Sequence, residues 1–161
     1  MDTDMTDKLV SLHITIPELR GILPNTATVV STAFWVPLAD FVLRRAGVFE
    51  VVCQREDAMA IKLLMPLAET IERRREDGAL MFWGTVTPGF CKAIANGHGS
   101  GHDALWWWQI ALSREGEQVF ALREYGAVMD LFALNESEVN VILELLPCAA
   151  RTSLGSRAGS D

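Results

Sequence analysis

Apolar and polar residues alternate along much of this chain, and the period of the alternation changes several times. Residues 11–16, "SLHITI", alternate as a strand does, and Pro17 ends it. Residues 26–36, "TATVVSTAFWV", are dense in β-branched and aromatic side chains and predict a second strand. Pro37 suits a first helical turn. The helix it opens, "PLADFVLRRA", puts Leu38, Phe41 and Val42 on one face, and Gly47 closes it. "VFEVVCQ" and "AMAIKLLM" then flank a short "RED" connection and predict a hairpin. A helix over 57–76 is the competing reading, although Pro66 would interrupt it.

Residues 78–86, "GALMFWGTV", predict another strand, with Pro88 and Gly89 as a turn after it. "FCKAIANGHGSGHD" reads as running into a glycine-rich loop. A strand over 104–113 carries three adjacent tryptophans, and the turn "REGE" sends the chain back as a strand over 118–125. "AVMDLFAL" adds one more strand. Asn135 caps the last helix, with Glu138 three residues on as in a capping box. Val139, Ile142, Leu143 and Leu146 form its apolar stripe, and Pro147 ends it. Residues 1–10 read as a flexible N-terminus, 11–150 as one domain, and "RTSLGSRAGSD" (151–161) as a disordered tail. The architecture these elements predict is α+β: a mainly antiparallel sheet of five to seven strands, with about three helices packed mostly on one face.

The chain also echoes itself. "VPLADFVLRRAG" from Val36 is matched by "MPLAETIERRRE" from Met65, and in each an acid precedes an arginine by four residues (Asp40 to Arg44, Glu69 to Arg73). That spacing supports an exposed helix in both copies. Convergence of two proline-started helices and an old strand–helix–strand duplication both account for it. No glycine-rich loop leads into either helix, so neither unit is a nucleotide-binding motif.

On the tryptophan strand, Trp106, Trp108, Ile110 and Leu112 fall on one face, and Leu105, Trp107 and Ala111 on the other. A strand apolar on both faces is normally covered on both. Helices cover one; a second layer, a sister subunit or a foreign partner covers the other. Trp106, Trp107 and Trp108, with Phe120 on the returning strand and Val139 and Ile142 on the last helix, are therefore the candidate partner-binding residues.

Half of the 161 residues are apolar and 22% are charged, which fits one folded domain with a real core. The net charge of −7 speaks against nucleic acid and anionic membranes, whose binding rests on arginine and lysine. Eleven arginines against three lysines, with abundant Ala, Gly and Leu, suggest a GC-rich bacterial genome. Cys53, Cys91 and Cys148 are odd in number and far apart, which points to reduced thiols in a cytoplasm. "MDTDMTDK" is unlike a signal peptide, and no apolar run approaches the roughly 20 residues of a membrane helix.

The most chemical stretch is "ANGHGSGHD". His98 and His102 lie four apart, with Cys91 upstream and Asp103 adjacent, and all four are zinc-ligand types. The glycines make the stretch a poor helix, so the histidine spacing lacks the scaffold that would aim both rings at one ion. The plainer reading is a loop that happens to hold two histidines, and no cofactor is expected. A Cys91 thiolate paired with either histidine is a further alternative, with no local signature behind it. Glu115 and Glu117 sit on a turn, and Glu136 and Glu138 open a helix. Arg73, Arg74 and Arg75 in "ERRRE" read as an anion grip or as a solvated helix end. No serine sits in a G-x-S-x-G elbow. No residue set argues for an enzyme.

The leading expectation is thus a small acidic protein-binding module that escorts or sequesters another protein. In size, acidity, hairpin sheet and C-terminal amphipathic helix (135–146), the chain resembles the class I chaperones of type III secretion over residues 37–146. That resemblance implies a homodimer binding an extended segment of a secreted effector. No functional residue is carried over from it. An immunity protein that covers a toxin's active site fits the same features. A small enzyme or ligand carrier is the alternative, with a site near the His98/His102 loop or a pocket lined by Trp106 and Trp108.

Overall fold

Strand β1 (Val10–Thr15) buries Leu12 and Ile14 and leaves Ser11, His13 and Thr15 partly open. The same two-sidedness runs through an antiparallel sheet of eight strands, ordered β3-β4-β2-β5-β6-β7-β1-β8. The other strands are β2 (Val48–Cys53), β3 (Thr70–Arg73), β4 (Leu80–Thr85), β5 (Gln109–Arg114), β6 (Glu117–Arg123), β7 (Val128–Leu134) and β8 (Arg151–Ser156). The computed structural model describes residues 8–24, 27, 30–98 and 104–156. The molecule is α+β, as the sequence pattern predicts, with more strands and helices than that pattern resolves.

Helices α1 (Trp35–Arg44), α2 (Ala58–Leu64), α3 (Pro88–Asn96) and α4 (Glu136–Leu145) share one core with a single face of the sheet. Cross-strand neighbours Leu12, Leu131, Phe120, Leu112 and Phe49 line that face. Phe49 stacks on Phe90 of α3 at 3.8 Å between ring centroids, and Phe120 meets Trp35 of α1 at 6.3 Å. The Trp35 and Trp107 indole N–H groups both donate to the Ile94 carbonyl, at 2.9 and 3.0 Å. That carbonyl belongs to the last turn of α3, where intrahelical donors run out. None of the described helices is long and apolar enough to cross a membrane.

Several elements differ from the sequence pattern. Residues 58–64 form a helix rather than the second arm of a hairpin, with Ala60 and Leu64 buried one turn apart. The echo is not structural: the first copy is α1, whereas the second is a turn leading into β3. Asp40 and Arg44 pair at 3.2 Å as the spacing predicts, but Glu69 accepts from the Thr85 hydroxyl and Arg73 donates to the Gly78 carbonyl. The "ERRRE" segment is therefore strand and turn, with Arg74 held bidentately by Asp77. Within 26–36, the described residues make only an isolated bridge at Ala27 before α1 begins at Trp35. Pro88 starts a helix capped by the Thr87 hydroxyl, which accepts from Phe90 N–H. Residues 151–156, expected in a disordered tail, form edge strand β8 along β1.

The tryptophan strand begins later than its composition suggests, at Gln109. Trp106 N–H donates to the Gly97 carbonyl, so residues 104–108 lie against the end of α3 before joining the sheet. A bend there lets Trp107 and Ile110 both enter the core, although an unbroken strand would send them to opposite faces. The β5–β6 hairpin turns through Glu115 and Gly116, both at positive φ (52° and 82°), as a two-residue turn of primed type requires.

Candidate functional site

Two regions concentrate features that packing alone does not require. The first is the face of the sheet opposite the helices. Register places Trp83, Glu50, Ala111, Ala121, Asp130 and His13 in one row across this face. Met81, Val52, Gln109, Arg123, Val128 and Thr15 form the next row. Two depressions lie on it. One, of about 300 Å³, is lined by Trp83, Ala111, Ser113 and Val48, and its only charged walls are the carboxylates of Glu50 and Glu69. The other, of about 530 Å³, is lined by Trp108, Gln109, His13, Thr15, Arg20, Arg123, Glu124 and Val128. Asp130 draws this second area together: His13 Nδ1 lies 2.6 Å from Oδ1, and Arg123 Nη2 lies 3.3 Å from Oδ2. Arg20 pairs with Glu124 at 3.4 Å, and the Arg74 guanidinium sits 5.8 Å from the centre of the half-buried Trp108 ring.

The second region is a cavity of about 450 Å³ at one end of the sheet, beside the C-terminal ends of β2 and β6. Asp57, next to α2, lines it and is only 8% exposed. The Tyr125 hydroxyl lies 3.0 Å from both Asp57 carboxylate oxygens, and the Gln54 N–H donates to Oδ2 at 3.1 Å. Burial raises the Asp57 pKa above the ordinary carboxylate range, against the lowering effect of these two hydrogen bonds. Burial and then the Asp57 charge hold the Tyr125 phenol protonated well above its usual range. Cys53, fully buried at the end of β2, is pushed up to about 12 by burial and then by Asp57, so its thiol is not a nucleophile near neutrality.

The backbone beneath Tyr125 is unusual. Glu124 and Tyr125 have φ of 54° and 56°, and Gly126 follows at 92°. Left-handed conformations at non-glycine residues cost about 1–3 kcal/mol each and persist only where the surroundings enforce them. Trp106 also lines the cavity, and its indole N–H is buried with no hydrogen-bond partner among the described residues.

The sequence candidates divide among these places. Trp107, Phe120, Val139 and Ile142 are buried in the core, so their surfaces are already covered within the chain. Trp106 and Trp108 are half-buried and part company: Trp106 lines the end cavity, Trp108 the sheet face opposite the helices. Cys91 lies on α3 and lines a separate groove of about 410 Å³ against α1, where burial and then Asp40 raise its thiol pKa. His102 and Asp103 lie outside the described residues, and His98 follows α3. Among the described residues no group of three or more His, Cys, Asp and Glu is placed to hold a metal. Sequence reasoning missed Asp57, Tyr125, Trp83 and Arg123. Asp57 and Tyr125 are 68 residues apart, and nothing in either neighbourhood announces the other.

Comparison of the chain with protein-family models, with curated proteins and with solved structures gives no match.

Proposed function

We propose that the chain is a protein-binding module that escorts or sequesters another protein, which docks on the uncovered face of the sheet. One observation carries the reading: among the described residues, helices pack on a single side of an eight-stranded sheet, and the opposite side holds two depressions, one of them walled by carboxylates alone among its charged residues. Trp83 and Trp108, one at each depression, are half-buried indoles of the kind that anchor interfaces. Ala111 and Ala121 between them keep the centre low, so a partner's backbone can approach closely. Glu50 and Glu69 make one depression acidic, whereas at the other Arg20 and Arg123 are offset by Glu124 and Asp130, so a partner's cation is drawn to the first and one docking orientation is favoured over its reverse. The resemblance to class I type III secretion chaperones supports the same reading from gross features and adds a homodimer as the form it would take.

The test begins with the chain purified from its native host and the protein that accompanies it. A single stoichiometric companion is expected, lost when Ala111→Arg and Ala121→Glu are combined in a variant whose circular dichroism and Tm match the parent. No companion for the parent, or undiminished binding by the variant, rejects the reading. The salt dependence of the on-rate then separates the two roles. Strong acceleration at low salt marks an inhibitor of a folded toxin, and indifference to salt marks an escort of an extended segment.

A further inference from the structure

We propose that two copies of the chain join edge to edge through β8, so that their two eight-stranded sheets become one. The inference rests on the homodimer of the proposed function and gives it a place. Among the described residues β8 has a single neighbour, β1, and so turns a row of backbone N–H and C=O groups outward. Sheet edges are ordinarily guarded by shortness, charge, proline or a bulge. Strand β3, at the other edge, is four residues long, and Glu72 and Arg73 charge half of it. Strand β8 is six residues long, "RTSLGS", with no proline and one charge, at its first position. It follows β1 residue for residue, from Thr15 opposite Arg151 to Val10 opposite Ser156, without a bulge. The β8 edge is therefore open to another strand.

The register names the occupant. Leu154 falls opposite Leu12, on the helix side of the sheet, at the end of the buried row Phe49, Leu112, Phe120, Leu131 and Leu12. It continues that row, yet it is 62% exposed, because the described sheet stops there. A twofold axis perpendicular to the sheet would run a second β8 antiparallel to the first and keep the helices of both copies on one side. Facing residues must then share a side of the sheet, and an axis through Leu154 satisfies this. Leu154 falls opposite the partner's Leu154, Thr152 opposite the partner's Ser156, and Ser153 opposite the partner's Gly155. Arg151 lies beyond these pairs, so no like charges face each other. A second copy thus supplies both things the edge lacks, a backbone ladder and an apolar neighbour for Leu154. The docking faces of the two copies become one surface.

Sedimentation velocity of the full chain tests this over about 1–200 µM, in about 150 mM salt to screen the −7 charge of each copy. The parent is expected to reach a dimer. Leu154→Glu and Leu154→Lys should each weaken it at least about tenfold, because like charges then meet across the axis. Mixing the two variants should restore a one-to-one dimer, in which opposite charges meet. Each variant should keep the parent's Tm, since Leu154 is largely exposed, and should still bind the companion on the docking face. If neither variant folds, hydrogen exchange on the parent decides. The alternate β8 amides turned away from β1 should gain protection as concentration rises. A parent that stays monomeric overturns both this edge and the homodimer. A dimer indifferent to both charges, variants that fail to recombine, or β8 amides that gain no protection overturn the edge and leave the homodimer standing.

Discussion

Gly97 is where the chain leaves α3, and its φ of −78° is open to any residue. What requires glycine there is proximity: a Cβ at this position would enter the six- and five-membered rings of Trp107. Trp107 is fully buried and tied to the Ile94 carbonyl, so it has no room to yield. Gly97→Ala should destabilise the fold by about 1–3 kcal/mol, the usual range for overpacking, as read by urea unfolding. An unchanged midpoint would mean the indole can move. Asp57 makes a prediction of a different kind. Its folded pKa is raised, so the folded chain holds that proton more tightly than the unfolded chain does. The stability this contributes is complete below the unfolded pKa, about 3.9, and is lost as pH rises through the folded value. Asp57→Asn has nothing to titrate. The stability of the parent relative to that variant should therefore fall as pH rises across this window and level off above it. A difference that grows with pH would contradict the burial argument. Tyr125→Phe removes the phenol's hydrogen bonds to the carboxylate and should cost about 1.5–3 kcal/mol at neutral pH.

Elements differ in how plainly the sequence announces them, and α4 is the clearest case. Asn135 Oδ1 accepts from Glu138 N–H at 2.8 Å, and Glu138 Oε1 accepts from Asn135 N–H at 3.0 Å, as the spacing of the two residues predicts. Asn135→Ala should lower stability by about 1 kcal/mol, equivalent to about 2–4 °C in Tm for a chain of this size. A Tm within error of the parent would show that packing of Val139 and Ile142 alone fixes the helix. Strands β1, β4 and β6 were legible because burial alternates along each, and β2 and β7 because their apolar runs are short and strand-like although consecutive residues in them are buried. Helix α3 carried its signal too, in Thr87 and Pro88 at the cap and first turn, but the glycines around "NGHG" weigh towards a loop. Helix α2 is too short for its period to outweigh a strand-like composition. Strands β3 and β8 lie at the two sheet edges, where exposure on both faces removes the alternation that would reveal them. The end cavity was illegible for a related reason. Trp106 was visible as a conspicuous residue, but Asp57 and Tyr125 meet only because β2 and β6 flank β5.

For the molecule as a whole, the sheet's two edges are protected unequally. Strand β3 is short, with Glu72 and Arg73 along it, features that discourage pairing with another chain. At the opposite end β8 covers β1, whose buried Leu12 and Ile14 and uncharged backbone would otherwise form the edge. Fixing the six residues of β8 costs about 1–2 kcal/mol each in backbone entropy, while each ladder hydrogen bond returns only about 1 kcal/mol net. Strand β8 therefore contributes little to the folding equilibrium itself, and its larger effect is to occupy β1. A chain ending at Ala150 should keep the parent's far-ultraviolet circular dichroism and lose only a few degrees in Tm, about 2–4 °C for each kcal/mol forfeited. Its association should rise steeply with concentration, because β1 then presents an apolar strand with unpaired backbone groups. Light scattering across a concentration series separates the two effects. A truncated chain as monodisperse as the parent would show that β1 needs no cover. A chain that fails to fold would show that β8 belongs to the stability of the core, although Leu154, the only large apolar residue on β8, is 62% exposed and buries little against it.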